Sequence, residues 1–143
     1  MKNKKTILWT IVAALLALCA TCLNFENTGS IKDNYKYFIS YYDGGEPGTN
    51  YDIYVYHNYQ ILVEERNNCT TLDCIESGKL YSIDTYNVKV SNKNKAKVKK
   101  FVNDLFKDEK DNKIELLWYS LSEREENALR AIVYNDEFFW DYY

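Results

Sequence analysis

Residues 49–66 read TNYDIYVYHNYQILVEER. Tyr51, Ile53 and Val55 alternate with Asp52, Tyr54 and Tyr56. A period of two puts successive side chains on opposite faces of an extended chain, so 49–57 reads as a strand. After a short connection at Asn58 comes a second run, YQILVEER over 59–66. Two such runs with so little chain between them predict an antiparallel hairpin.

Working outward, NYKYFISYYD (34–43) is dense in aromatic and β-branched residues and reads as a preceding strand, broken by GGEPG (44–48). KLYSIDTYNVKV (79–90) offers a fourth strand. The period then changes. Val98, Phe101, Val102, Leu105 and Phe106 fall at helical spacing, giving a helix over about 92–107 with Ser91 or Asn92 as its N-cap. KIELLWYS (113–120) reads as a last strand. SEREENALRAIVYN (122–135) opens with a capping box, Ser122 and Glu125, and presents Ala128, Leu129, Ile132 and Val133 on one face. The order β-β-β-β-α-β-α with short connections predicts an α+β domain: an antiparallel sheet of about four to five strands with two helices packed on one face. In the C-terminal FFWDYY, Phe138, Phe139 and Trp140 are expected to pack back on the core, because three exposed large apolar side chains invite aggregation.

The chain opens with Lys2, Lys4 and Lys5, followed by an uncharged run from Thr6 to Leu23. Positive then apolar is the order of a signal peptide or signal anchor. Its eighteen residues stand at the lower limit for spanning a ~30 Å hydrocarbon core. Residues 1–23 are therefore expected to be a signal peptide or a single transmembrane anchor, with contact to the membrane through 6–23. Three fates compete: cleavage after small residues, lipidation of Cys19 in LALC (16–19), or retention. Leu18 stands where a lipidation motif wants a small residue. Residues 24–33 form a short polar tether, and 34–143 the domain, outside the cytoplasm because the lysines stay inside. The layout resembles small single-anchor or lipoprotein-like envelope proteins of AT-rich bacteria. That resemblance carries over no catalytic residues.

Beyond the lysine-rich start, 15 basic residues face 21 acidic ones, a formal charge of −6. So acidic a body argues against nucleic-acid binding, which needs cationic surface to displace phosphate counterions. All 14 tyrosines lie in it, alongside much Asn, Lys and Ile. A/T-rich codons favour the same residues.

Cys69 and Cys74, in NNCTTLDC (67–74), are the first chemical candidates. Outside the cytoplasm, two cysteines so close in sequence form a disulfide. Zinc needs four ligands, and His57 is the one histidine. A thioredoxin-type motif has two intervening residues, whereas here there are four. GGEPG lacks the Gly-Lys-Ser/Thr ending of a phosphate loop. No metal and no cofactor is expected. Alternation groups Tyr35, Tyr37 and Tyr41 on one side of the first strand, and Tyr54 and Tyr56 on one side of the second. One of these sets, on a sheet face the helices leave bare, suits recognition of protein or sugar. Lys93, Lys97 and Lys100 share a helical face that suits anionic headgroups or wall polymers, or is simply solvated.

The expectation is a non-enzymatic binding domain, membrane-anchored or secreted, with a protein partner in the cell envelope. A small hydrolase using His57 with Glu64 or Asp84 is the alternative, and an adaptor working through the lysine helix is a third.

Overall fold

The computed structural model describes residues 31–45, 48–69, 72–78 and 80–143. The chain divides into a unit Met1–Asn34 and a unit Tyr35–Tyr143. In the first, a 3-10 turn at Ile31–Asn34 is described. The signal or anchor, Cys19 and most of the tether fall outside the described residues. Among those residues, no helix is long and apolar enough to cross a membrane.

The second unit is an α+β body. Its strands are β1 (Tyr37–Tyr42), β2 (Thr49–Val55), β3 (Ile61–Asn68), β4 (Tyr81–Asn87) and β5 (Lys113–Leu117). Its helices are α1 (Leu72–Glu76), α2 (Lys95–Leu105) and α3 (Glu123–Val133). The strands form one sheet in the order β4-β3-β2-β1-β5. The first four pair antiparallel. β5 instead runs parallel to β1, with Ile114 opposite Ile39 and Leu116 opposite Tyr41. The sheet is thus mixed, not wholly antiparallel. Such parallel pairing needs a long crossover, and here the whole stretch from β2 to α2 separates the two partners.

The hairpin of 49–66 forms as its alternation requires. Ile53 pairs with Val63 and, on the other side, with Ile39. All three are fully buried. Residues 56–60 connect the strands, and Tyr59 takes a left-handed backbone with φ 61°. Glycine usually fills that position in a hairpin loop. Here the tyrosine side chain docks on α2, its hydroxyl donating to Asn103 Oδ1 at 3.2 Å.

Both long helices contribute to the same core. Val98, Phe101, Val102 and Phe106 come from α2 and the residue after it, and Ala128, Leu129, Ile132 and Val133 from α3. The capping box is present: the Glu125 N–H donates to Ser122 Oγ, and the Ser122 N–H donates to Glu125 Oε2 at 2.8 Å. The N-cap of α2 falls later than expected, at Asn94, whose side chain makes no capping bond. Asn94 is instead buried beside Glu137 from the C-terminal tail.

That tail, a 3-10 segment Glu137–Tyr142, divides the three aromatics expected to pack inward. Trp140 is fully buried, edge-on to Phe101 and Tyr143. Phe139 is half-buried against the core, while Phe138 is 57% exposed. Consecutive residues of so tight a helix point in different directions, so one segment cannot bury all three.

Ile53→Ala should cost about 2–5 kcal/mol, the range for deleting an aliphatic side chain from a fully packed site. Ser122→Ala should cost about 1 kcal/mol through loss of the cap. Urea unfolding curves measure both.

Candidate functional site

The tyrosines grouped by alternation do not share a surface. Tyr41 lies on the face covered by the helices, 7% exposed and stacked on Tyr51. Tyr37 lies there too, stacked on Phe106 at 4.5 Å. Tyr35 goes to the opposite face, with its ring against Phe38 and Tyr54. The chain bends at Lys36 before β1 begins, so alternation cannot be counted back through it. Tyr54 is half-buried in that three-ring cluster. Tyr56 is half-buried as well, and its hydroxyl finds no hydrogen-bond partner among the described residues.

The three lysines are occupied within the fold. Lys93 precedes α2 and pairs with Asp141 at 3.1 Å. Lys97 donates to the Trp140 carbonyl at 2.6 Å, and Lys100 pairs with Asp104. Those contacts tie α2 to the tail and to itself. His57 is exposed on the turn at the hairpin tip. Glu64 lies three residues beyond the Ile61–Val55 pair that closes the hairpin, roughly 10 Å along the strand. Asp84 sits on β4 opposite Glu65. The fold does not gather His57, Glu64 and Asp84 into one site.

Cys69 and Cys74 meet at disulfide distance, with Cα atoms 5.5 Å apart. Cys74 lies in α1, which exposes Leu72 and Ile75. The chain then enters β4, the end strand of the sheet. Six of its seven residues are exposed, on both faces. Leu80 is 83% exposed, and Tyr81 and Ile83 are exposed as well. Together with the Cys74 region they line a groove of about 760 Å³. Sheet edges usually carry charge, proline or a covering element that discourages pairing with another chain. Asp84 is the one charged residue of β4, and Tyr86 is the one side chain tucked inward, its hydroxyl donating to the Val133 carbonyl. The sequence reading identified this strand but not its position at an edge. Edge position depends on long-range order, and no local signal carries it.

A second surface gathers at the opposite edge. Trp118 and Tyr119, just after β5, meet Tyr134 from the end of α3 and Asp43 from the end of β1 around a cleft of about 360 Å³.

The chain matches no family model, no curated protein and no solved structure. Among the described residues, no three His, Cys, Asp or Glu side chains come together as a set for a metal ion.

Burial, reinforced by Asp43, pushes the Tyr41 hydroxyl from its ordinary 10 up to about 12. Burial, reinforced by Glu65, raises Tyr51 and Tyr86 in the same direction. A folded-state pKa above the unfolded value gives stability that is complete below the unfolded pKa and lost as pH climbs through the folded one. Denaturant midpoints should therefore hold steady up to about pH 10. They should fall between 10 and 12 as the unfolded chain ionises. Tyr41→Phe should make that fall shallower and leave the part owed to Tyr51 and Tyr86, measured by urea titration at a series of pH values.

Proposed function

We propose that this chain is a non-enzymatic binding domain that works outside the cytoplasm, held at the membrane through residues 6–23 or released from it. It engages a protein partner in the cell envelope. The observation that carries this reading is β4: an end strand exposed on both faces, whose Tyr81 and Ile83 line a groove with the apolar Leu80 and with Asp73 and Cys74 of α1. An extended segment of a partner can add to such an edge through main-chain hydrogen bonds, while flanking apolar side chains supply selectivity. Of the two tyrosine sets first considered, the one on β1 has Tyr37 and Tyr41 under the helices, and this edge offers the larger exposed apolar surface beside free backbone.

An extracytoplasmic location draws support from the lysine-then-apolar start, the acidic body and the paired Cys69 and Cys74. A cysteine pair this close in space stays reduced in a cytosol and oxidises outside it.

Two measurements test the reading. Intact mass of the native protein, before and after reductant, should rise by two hydrogens on reduction, and it reports cleavage or lipid on Cys19 in the same spectrum. An unchanged mass means free thiols and removes the argument for location. For the partner, crosslinking in intact cells should give one defined adduct with the natural chain. Ile83→Lys and Leu80→Asp, both at exposed positions, should abolish it while leaving the circular dichroism unchanged. An adduct that survives both substitutions rules out the β4 edge. An adduct of twice the chain's mass identifies the partner as a second copy.

A further inference from the structure

The cleft at the β1–β5 end of the sheet is separate from the β4 edge and has its own chemistry. Its walls include four aromatic rings, those of Tyr41, Trp118, Tyr119 and Tyr134. Trp118 and Tyr119 stand at 85° to one another, with centroids 5.8 Å apart. Trp118 keeps 52% of its surface in solvent, and another part of the indole packs on the backbone at Gly44. Gly44, at φ +77°, lies so close that a Cβ there would overlap the indole. The left-handed glycine thus lets the backbone press against the ring and fix it. An exposed tryptophan held in place on one side is a preorganised platform, and preorganisation lowers the entropic cost of binding.

The charges of the cleft are Asp43, Glu126 and Arg130. Two carboxylates against one guanidinium leave it net negative. The guanidinium is already engaged, pairing with Glu126 and lying 6.0 Å from the Phe139 ring. That pair neutralises itself and leaves the Asp43 carboxylate, whose Oδ1 accepts from the Gly45 and Thr49 N–H groups, as the excess charge of the cleft. The rise of the Tyr41 hydroxyl agrees: after burial, Asp43, Tyr134 and Glu126 all push it up, and Arg130 alone opposes them.

We propose that this cleft binds an organic cation, an alkylammonium group of the quaternary-amine or methylated-amine type. Trp118 and Tyr119 sit edge to face, and with the rings of Tyr41 and Tyr134 around the same cleft they suit a compact, rounded, weakly hydrated cation attracted to aromatic surface. A sugar wants one flat platform with hydrogen-bonding groups around its rim, and an anion meets the wrong field. The volume of about 360 Å³ falls in the range of small-molecule sites.

The test uses the full chain in a polyoxyethylene detergent, which carries neither cation nor sugar. Choline, its uncharged isostere 3,3-dimethylbutanol, and glucose are each titrated, read by tryptophan fluorescence and by calorimetry. Choline should bind about tenfold more tightly than the uncharged isostere, and glucose should not bind. Trp118→Ala and Tyr119→Ala should each weaken choline about tenfold. Both side chains are exposed, so the fold, checked by circular dichroism, should persist. Glu126→Gln should weaken choline and leave the isostere unchanged. Equal binding of choline and its isostere, binding of glucose in preference, absence of any binding, or choline affinity indifferent to both aromatic substitutions would each overturn the proposal.

Discussion

One row of side chains governs this molecule. Ile39, Ile53 and Val63 stand side by side on β1, β2 and β3 without measurable exposure, and Ile114 continues the row onto β5. Because side chains alternate strictly along a strand, fixing this row fixes the face of every other residue in the three strands. A one-residue slip would turn Asp52 toward the helices and Ile53 and Val63 away from them. Burying that carboxylate without compensation while exposing two core side chains makes the slip costly. The register is therefore set by the central row, and the fates of the tyrosines follow from it. Tyr37, Tyr41 and Tyr51 share the row's parity and go under the helices, while Phe38 and Tyr54 go to the far face.

The helices close over this row from a second direction, and Trp140 joins them. It is fully buried, its ring edge-on to Phe101 of α2, and its backbone carbonyl accepts from Lys97. Glu137 accepts from the Ser91 N–H, which holds its carboxyl below the usual range. Trp140 thus makes the C-terminal segment part of the core, while Phe138 and Tyr142 of the same segment stay exposed.

What could be read from the sequence is what neighbouring residues determine. The hairpin, the helical stripe of Val98 to Phe106, the Ser122–Glu125 cap and the order of the main elements rest on periods of two or 3.6 and on short-range bonds, and all formed. The short helix that carries Cys74 had no such signal. KIELL at β5 announced a strand, but nothing in five residues states that its neighbour is β1 or that the pairing is parallel. The same limit hid both surfaces. β4 looked like any other strand until its place at the end of the sheet was known. The aromatic cleft draws on residues 41–45, 118–119 and 126–134, which meet only because β5 lies beside β1. Tyr35 departs from the alternation for a smaller reason: the chain bends at Lys36.

The two surfaces sit at opposite ends of the strand order, β4 at one and the β1–β5 end at the other. At about 4.8 Å per strand, four spacings separate the outer strands by roughly 19 Å. Sites that far apart, with no side chain in common, behave additively unless a two-state element links them. The element that reaches nearest to both is α3. Val133 lines the aromatic cleft and its carbonyl accepts from Tyr86 of β4, while Tyr134, one residue on, is a cleft wall. Coupling between the surfaces would have to pass through this helix end. The Tyr86 hydroxyl is thus the contact whose removal separates a coupled pair of sites from two independent ones. With Tyr86→Phe, independent sites keep their separate affinities, whereas coupled sites lose their mutual effect and keep their individual binding.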